Sequence, residues 1–146
     1  MRQLPIEAAI LVLNDLPALL GDAYESEPFN ITDKNLEEIE ALLERPFQVF
    51  NGKELYESTA EKIAVLFYQI IKGHKLENGN KRTAVILTLA FLLFNDYRIT
   101  VSQKKLYGIA LLVAKSEASD KDKIIRMLIK EFDKHTKKVK LRLPIN

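Results

Sequence analysis

The stretch His74-Lys-Leu-Glu-Asn-Gly-Asn-Lys-Arg-Thr-Ala84 gathers the side chains best able to do chemistry into one polar, glycine-containing segment between two apolar ones. His74, with an ordinary pKa of about 6.5, is the side chain in it suited to take a proton from a hydroxyl near neutral pH. At the other end, Gly79 and Asn80 lead straight into an apolar run that reads as a helix. That junction collects unpaired backbone N–H groups and the positive end of the helix dipole, which together make an anion site. Gly79 permits close backbone approach, and Asn80 also suits a helix cap. Lys81 and Arg82 fall in the first helical turn, where cations oppose the dipole, so a bound polyanion explains them better than helix stability does. Phosphate is the natural ligand, and a base beside a phosphate cradle points to phosphoryl or nucleotidyl transfer. Taken singly the residues have plainer readings. His74 alone is a surface residue after a helix-ending Gly73, Gly79 a turn residue, Glu77 and Asn78 loop residues, and Lys72, Lys75 and Lys81 either a solvated face or a phosphate field. It is their order and density that favour a site.

The elements that must position this segment are helical. Apolar residues recur mostly at three and four spacing, and five Gly and five Pro leave few turns, so an all-α fold is expected, a helical bundle around one buried central helix. A first helix runs from about Pro5 through Ile10 and Leu13 to Leu16 and stops near Pro17 and Gly21, followed by a polar loop from Asp22 to Asn30. Thr32 caps a second helix carrying Leu36, Ile39, Leu42 and Leu43, which Arg45-Pro46 ends. Phe47-Gln-Val-Phe50, before Asn51-Gly52, is the one segment that looks like a strand or hairpin. Its apolar residues are either a small satellite core or a docking edge. Ser58-Thr-Ala-Glu61 opens a third helix that closes at Gly73. The next helix runs from Asn80 to about Asn95; nine of the ten residues from Val85 to Phe94 are apolar, so it must be the surrounded, central one. Ser102 caps a further helix, and Ser119 with Asp122 a last one ending near His135. No repeat or linker interrupts the chain, and 1–146 reads as a single domain.

Composition excludes other classes. The chain has 146 residues, 47% of them hydrophobic and 29% charged, enough to bury a core without metal or crosslinks. The net charge of +2 is far from that of a charge-driven nucleic-acid binder. The tail residues Lys134, Lys137, Lys138, Lys140 and Arg142 read as cations solvated at a helix C-terminus, where they suit the dipole. No Cys is present, which removes disulfides, thiolate zinc sites and a cysteine nucleophile. His135 has no companion ligands at zinc spacing. The longest apolar run is about half the roughly 20 residues of a membrane span, and the opening residues do not read as a signal sequence. No membrane association and a cytoplasmic location are expected.

The central segment resembles the signature of Fic and Doc (death-on-curing) proteins, His-x-Phe-x-acid-Gly-Asn-Gly/Lys-Arg. His74, Gly79, Asn80 and Arg82 match it, with Leu76 in place of the Phe. The context also matches: Glu54-Leu-Tyr-x-x-x-Ala-Glu-Lys62 before it, and an apolar helix and Asn95-Asp-Tyr-Arg98 after it. The resemblance implies the Fic/Doc helical bundle with a hairpin flap, and transfer from a nucleoside triphosphate such as ATP, with Mg²⁺, to a hydroxyl of a protein target, a translation factor among the candidates. His74 would activate that hydroxyl, while Gly79, Asn80, Lys81 and Arg82 would hold the phosphates. Most Fic proteins transfer AMP; Doc proteins carry Lys at the position of Lys81, a replacement associated with transfer of the terminal phosphate.

Two positions depart from the pattern. The family's acidic metal ligand falls on Asn78, a weaker neutral donor for Mg²⁺, with Glu77 beside it as a substitute. The second arginine of many AMP-transferring members falls on Val85, which disfavours AMP transfer. By the same resemblance Phe47, Gln48, Val49 and Phe50 form the flap that pairs with an extended piece of the target. No Ser/Thr-x-x-x-Glu-Gly/Asn inhibitory pattern is found, which implies restraint by a separate antitoxin. The rival readings are AMP transfer, a non-catalytic nucleotide- or protein-binding module whose metal site is degraded at Asn78, and a nucleic-acid binder using the basic tail.

Overall fold

The computed structural model describes residues 1–19, 32–73 and 80–139. Within them the chain is a helical bundle with two short strand pairs. The helices are α1 (Ile6–Leu19), α2 (Asp33–Glu44), α3 (Thr59–Gly73), α4 (Asn80–Phe94), α5 (Gln103–Lys115) and α6 (Lys121–His135). The strands are β1 (Val49–Phe50), β2 (Lys53–Glu54), β3 (Tyr97–Ile99) and β4 (Thr136–Lys138).

Helix starts follow the capping residues. Thr32 Oγ1 accepts from Asn35 N–H at 3.3 Å and the Asn35 side chain returns to the Thr32 backbone, a reciprocal box before α2. Ser58 Oγ accepts from Glu61 N–H at 3.0 Å and Ser102 Oγ from Lys105 N–H at 3.1 Å. The last helix differs from expectation: a 3-10 turn over Ala118–Asp120 leads into α6, so Asp120, rather than Ser119, stands at its N-cap, and no side-chain hydrogen bond caps it. Helix α1 continues through Pro17 to Leu19. The loop expected from Asp22 to Asn30, with Gly21, lies outside the described residues.

α4 is the buried central helix expected, and α3 shares the core with it. α4 buries an unbroken run from Arg82 to Thr88, then Phe91 and Leu92. α3 buries Lys62 through Tyr68 and then Ile70 and Ile71. α3 packs on α4, α5 and α6, while α4 also meets α1 and α5. Phe67 on α3 meets Phe132 on α6 edge-on, with ring centroids 5.5 Å apart, an arrangement aromatic quadrupoles prefer.

The β1–β2 hairpin is antiparallel, Val49 opposite Glu54 and Phe50 opposite Lys53. Its turn residues Asn51 (φ 50°) and Gly52 (φ 77°) are both left-handed, which suits the twist of a two-residue hairpin. A second strand pair, absent from the sequence reading, joins β3 to β4 in antiparallel register from Tyr97–Lys138 to Ile99–Thr136. Lys137 and Lys138 therefore lie in a strand instead of at a helix C-terminus. The pair fastens the exit of α4 to the exit of α6. Thr100 N–H donates to His135 O at 2.7 Å, and Val139 N–H to Asp96 O at 2.7 Å, closing its two ends.

Candidate functional site

The site is built on the junction between α3 and α4. α3 ends at Gly73 and α4 begins at Asn80, and the two helices pack along each other. His74, Lys75, Leu76, Glu77, Asn78 and Gly79 lie between them, outside the described residues. The first turn of α4 carries Lys81 and Arg82 and no acidic residue. Asn80 and Lys81 are half-buried, and Arg82 is only 6% exposed. A cation held this deep at the positive end of a helix is opposed both by the dipole and by desolvation. An anionic ligand at the helix start would offset both costs.

Past Arg82 the helix leaves the site for the core. Thr83, Ala84 and Val85 are fully buried. Position 85 therefore supports packing between helices and places no charge there.

Lys72 leaves the candidate phosphate field. Its Nζ donates to the carbonyls of Ser116 and, at 3.4 Å, Ala114. These carbonyls close α5, so Lys72 serves a helix C-terminus, where a cation is favoured.

The hairpin is held by residues the sequence reading quoted only as context. Lys62, in the first turn of α3, is 2% exposed. Its Nζ donates to Tyr56 O and to Glu54 Oε1, the latter at 3.4 Å, and lies 5.3 Å from the centroid of the Phe47 ring. Phe47 in turn packs against Phe91 of α4, centroids 5.8 Å apart. Phe47 is thus a core anchor, whereas Val49 and Phe50 are 61% and 65% exposed and Gln48 is exposed beside them. The signal was the string Glu54-Leu-Tyr56 with Lys62, whose three polar groups meet here. Lys62 precedes Gly73 by eleven residues, so the hairpin root lies about 16 Å along α3 from the junction.

Asn95 does similar work at the other end of α4. Its Oδ1 accepts from Arg2 N–H at 2.6 Å, and its Nδ2 donates to Arg2 O at 2.8 Å and to Phe91 O at 3.0 Å. The Arg2 guanidinium lies 4.6 Å from the Phe94 ring centroid. Among groups whose protonation is displaced, Tyr68 on α3 has its pKa raised by burial and, second, by the Asp122 carboxylate on α6.

Among the described residues no three His, Cys, Asp or Glu side chains converge on a metal position, and no helix is long and apolar enough to cross a membrane. No curated protein and no solved structure matches the chain. The sequence model of the Fic/DOC family matches residues 7–92, more than half of the chain. That span runs from α1 through the hairpin, the α3–α4 junction and nearly all of α4, and on it the chain belongs to the Fic/DOC family.

Proposed function

We propose that the chain is a Doc-like transferase, moving the terminal phosphate of a nucleoside triphosphate to a hydroxyl of a protein target. Family membership supports a transferase of nucleotide or phosphate groups in general. The choice between them rests on one observation: the cationic first turn of α4 ends at Arg82, and Val85, one turn later, is sealed in the core. This supports a reading in which Gly79, Asn80, Lys81 and Arg82 alone hold the phosphates.

In this reading His74 takes the proton of the target hydroxyl. The freed oxygen attacks the γ-phosphorus, the bond to the β,γ-bridging oxygen breaks, and a nucleoside diphosphate leaves. Positioning and charge neutralisation supply most of the rate in such transfers. Glu77 and Asn78, one carboxylate and one amide, would hold Mg²⁺, an ion that needs only one or two protein donors. When bound there, the ion would neutralise phosphate charge. Val49 and Phe50 offer the target an exposed strand edge. About five extended residues cover the 16 Å or so from the hairpin root to the junction. A separate antitoxin would restrain the activity, at a soluble cytoplasmic location.

The test is isotope transfer: purified protein with Mg²⁺ and a cell extract, with α-labelled and γ-labelled ATP in parallel, against His74→Ala. Label from the γ position alone, lost in the variant, is expected. Label from the α position would replace this reading with AMP transfer. No label from either, with ATP still bound, would leave a non-catalytic nucleotide-binding module.

A further inference from the structure

α5 presents two unlike faces. Leu106, Ala110 and Val113 are buried against the bundle, and on the opposite side, at three and four spacing, stand Lys104, Lys105, Gly108, Leu111, Leu112 and Lys115. Leu112 is 51% exposed and Leu111 36%. With Gly108, Lys115 and Ser116 they line a shallow groove.

Gly108 has no internal reason to be glycine. A Cβ there would meet nothing within 4 Å, and its φ is not positive. Glycine inside a helix is the worst choice after proline, so nothing in the fold repays it. What it does provide is a gap between the two leucines and the lysines, wide enough for another backbone to come close.

We propose that this face docks an acidic amphipathic helix of a separate protein, its apolar stripe on Leu111 and Leu112 and its axis passing over Gly108. Charge selects the occupant. α5 carries Lys104, Lys105 and Lys115 and no acidic residue, so a helix flanked by carboxylates complements it. A second copy of the chain is the poorer fit. Its acidic helix α2 turns Asp33, Glu37, Glu40 and Glu44 outward with Ala41 as the apolar residue among them, which leaves both leucines uncovered. The inference does not rest on the transferase reading, since it is argued from the exposed face of α5 alone.

The experiment uses the full chain and a fluorescent synthetic peptide of about 18 residues, with leucines at helical spacing flanked by glutamates, read by anisotropy. A second peptide replaces every glutamate by lysine. Saturable binding of the acidic peptide is expected, weakened about tenfold or more by Gly108→Gln and by Lys104→Glu with Lys115→Glu, and absent for the lysine peptide. Gly108→Gln should melt no lower than the parent, because its side chain enters open space and glutamine is the better helix former. Absence of saturation up to about 1 mM overturns the proposal. So does equal binding by both peptides, or by Gly108→Gln. A dimer in light scattering that Gly108→Gln abolishes would name a second copy as the occupant. Adsorption to phosphatidylserine vesicles without peptide binding would name a membrane surface, and either result overturns the proposal.

Discussion

The Lys62 ammonium lies 3.4 Å from the Glu54 carboxylate, and the two sit on opposite sides of the water boundary: the lysine is almost fully buried, the glutamate half exposed. This asymmetry predicts unequal costs. Glu54→Gln removes a solvent-screened charge and leaves Lys62 its Tyr56 carbonyl and Phe47 ring, so a loss of about 1 kcal/mol or less is expected. Lys62→Ala also removes the packed stem and leaves the Tyr56 carbonyl without that donor, for about 2 to 3 kcal/mol. Lys62→Met keeps the stem and restores most of that stability, yet it frees the hairpin. Hydrogen exchange at Phe50 and Lys53 should then rise while that of α3 does not. Unchanged exchange at the hairpin would show that Lys62 does not hold it.

Thr88 is fully buried on α4, and its hydroxyl has no hydrogen-bond partner among the described residues. Val is nearly its isostere and carries no polar group to desolvate. Thr88→Val should therefore stabilise the chain by about 1 kcal/mol, seen as a higher urea midpoint at unchanged slope. A lower midpoint would mean that the hydroxyl is satisfied in solution.

How much of this was legible depended on range. Thr32, Ser58 and Ser102 announced their helices because a cap sits directly before the periodic run it starts. The Asn51-Gly52 turn was legible for the same local reason. β3 and β4 were not: each has three residues, and Tyr97 finds Lys138 only after two intervening helices. The roles of Lys62 and Lys72 were not legible either, because only the fold brings the Tyr56 and Ser116 carbonyls to them. At the site, the helix start at Asn80 and the cationic first turn were readable in advance. The burial of Arg82 was not, since it comes from neighbours across the bundle.

Asp96 adopts φ 63° just past the end of α4, a left-handed position that suits glycine. Its backbone contacts, Asp96 N–H to Leu93 O at 3.1 Å and Val139 N–H to Asp96 O at 2.7 Å, do not involve the side chain. Asp96→Gly should relieve the Cβ strain and raise stability by about 0.5 to 1 kcal/mol, while Asp96→Val lowers it. Thermal melts of both variants decide the point, and an Asp96→Gly that melts lower would assign the carboxylate a role of its own.

Tyr68 sets an alkaline limit. Burial and then Asp122 favour its neutral phenol, so its folded pKa lies above the unfolded value of 10.0. The stabilisation is fully present below that unfolded value and is lost as the pH rises past it toward the folded pKa. Stability should fall at alkaline pH by a component that Tyr68→Phe removes. Urea midpoints measured on either side of pH 10 for both proteins check this, and an identical alkaline slope in the variant would shift the cause to other groups.

Lys81 tests which phosphate is transferred. It is half-buried one residue before Arg82, where a long cation takes space and charge that a glycine would leave to the nucleotide. Lys81→Gly should lower γ-label transfer about tenfold or more, a loss of roughly 1.4 kcal/mol or more of transition-state binding. ATP binding should weaken less, because the proposed site keeps Asn80 and Arg82 for the phosphates. If label from the α position rises as γ-label falls, Lys81 orients the triphosphate, with His74 serving either reaction as the base. If both labels stay at parental levels, Lys81 is a bystander, and the direction of transfer must be set by the His74–Gly79 segment itself.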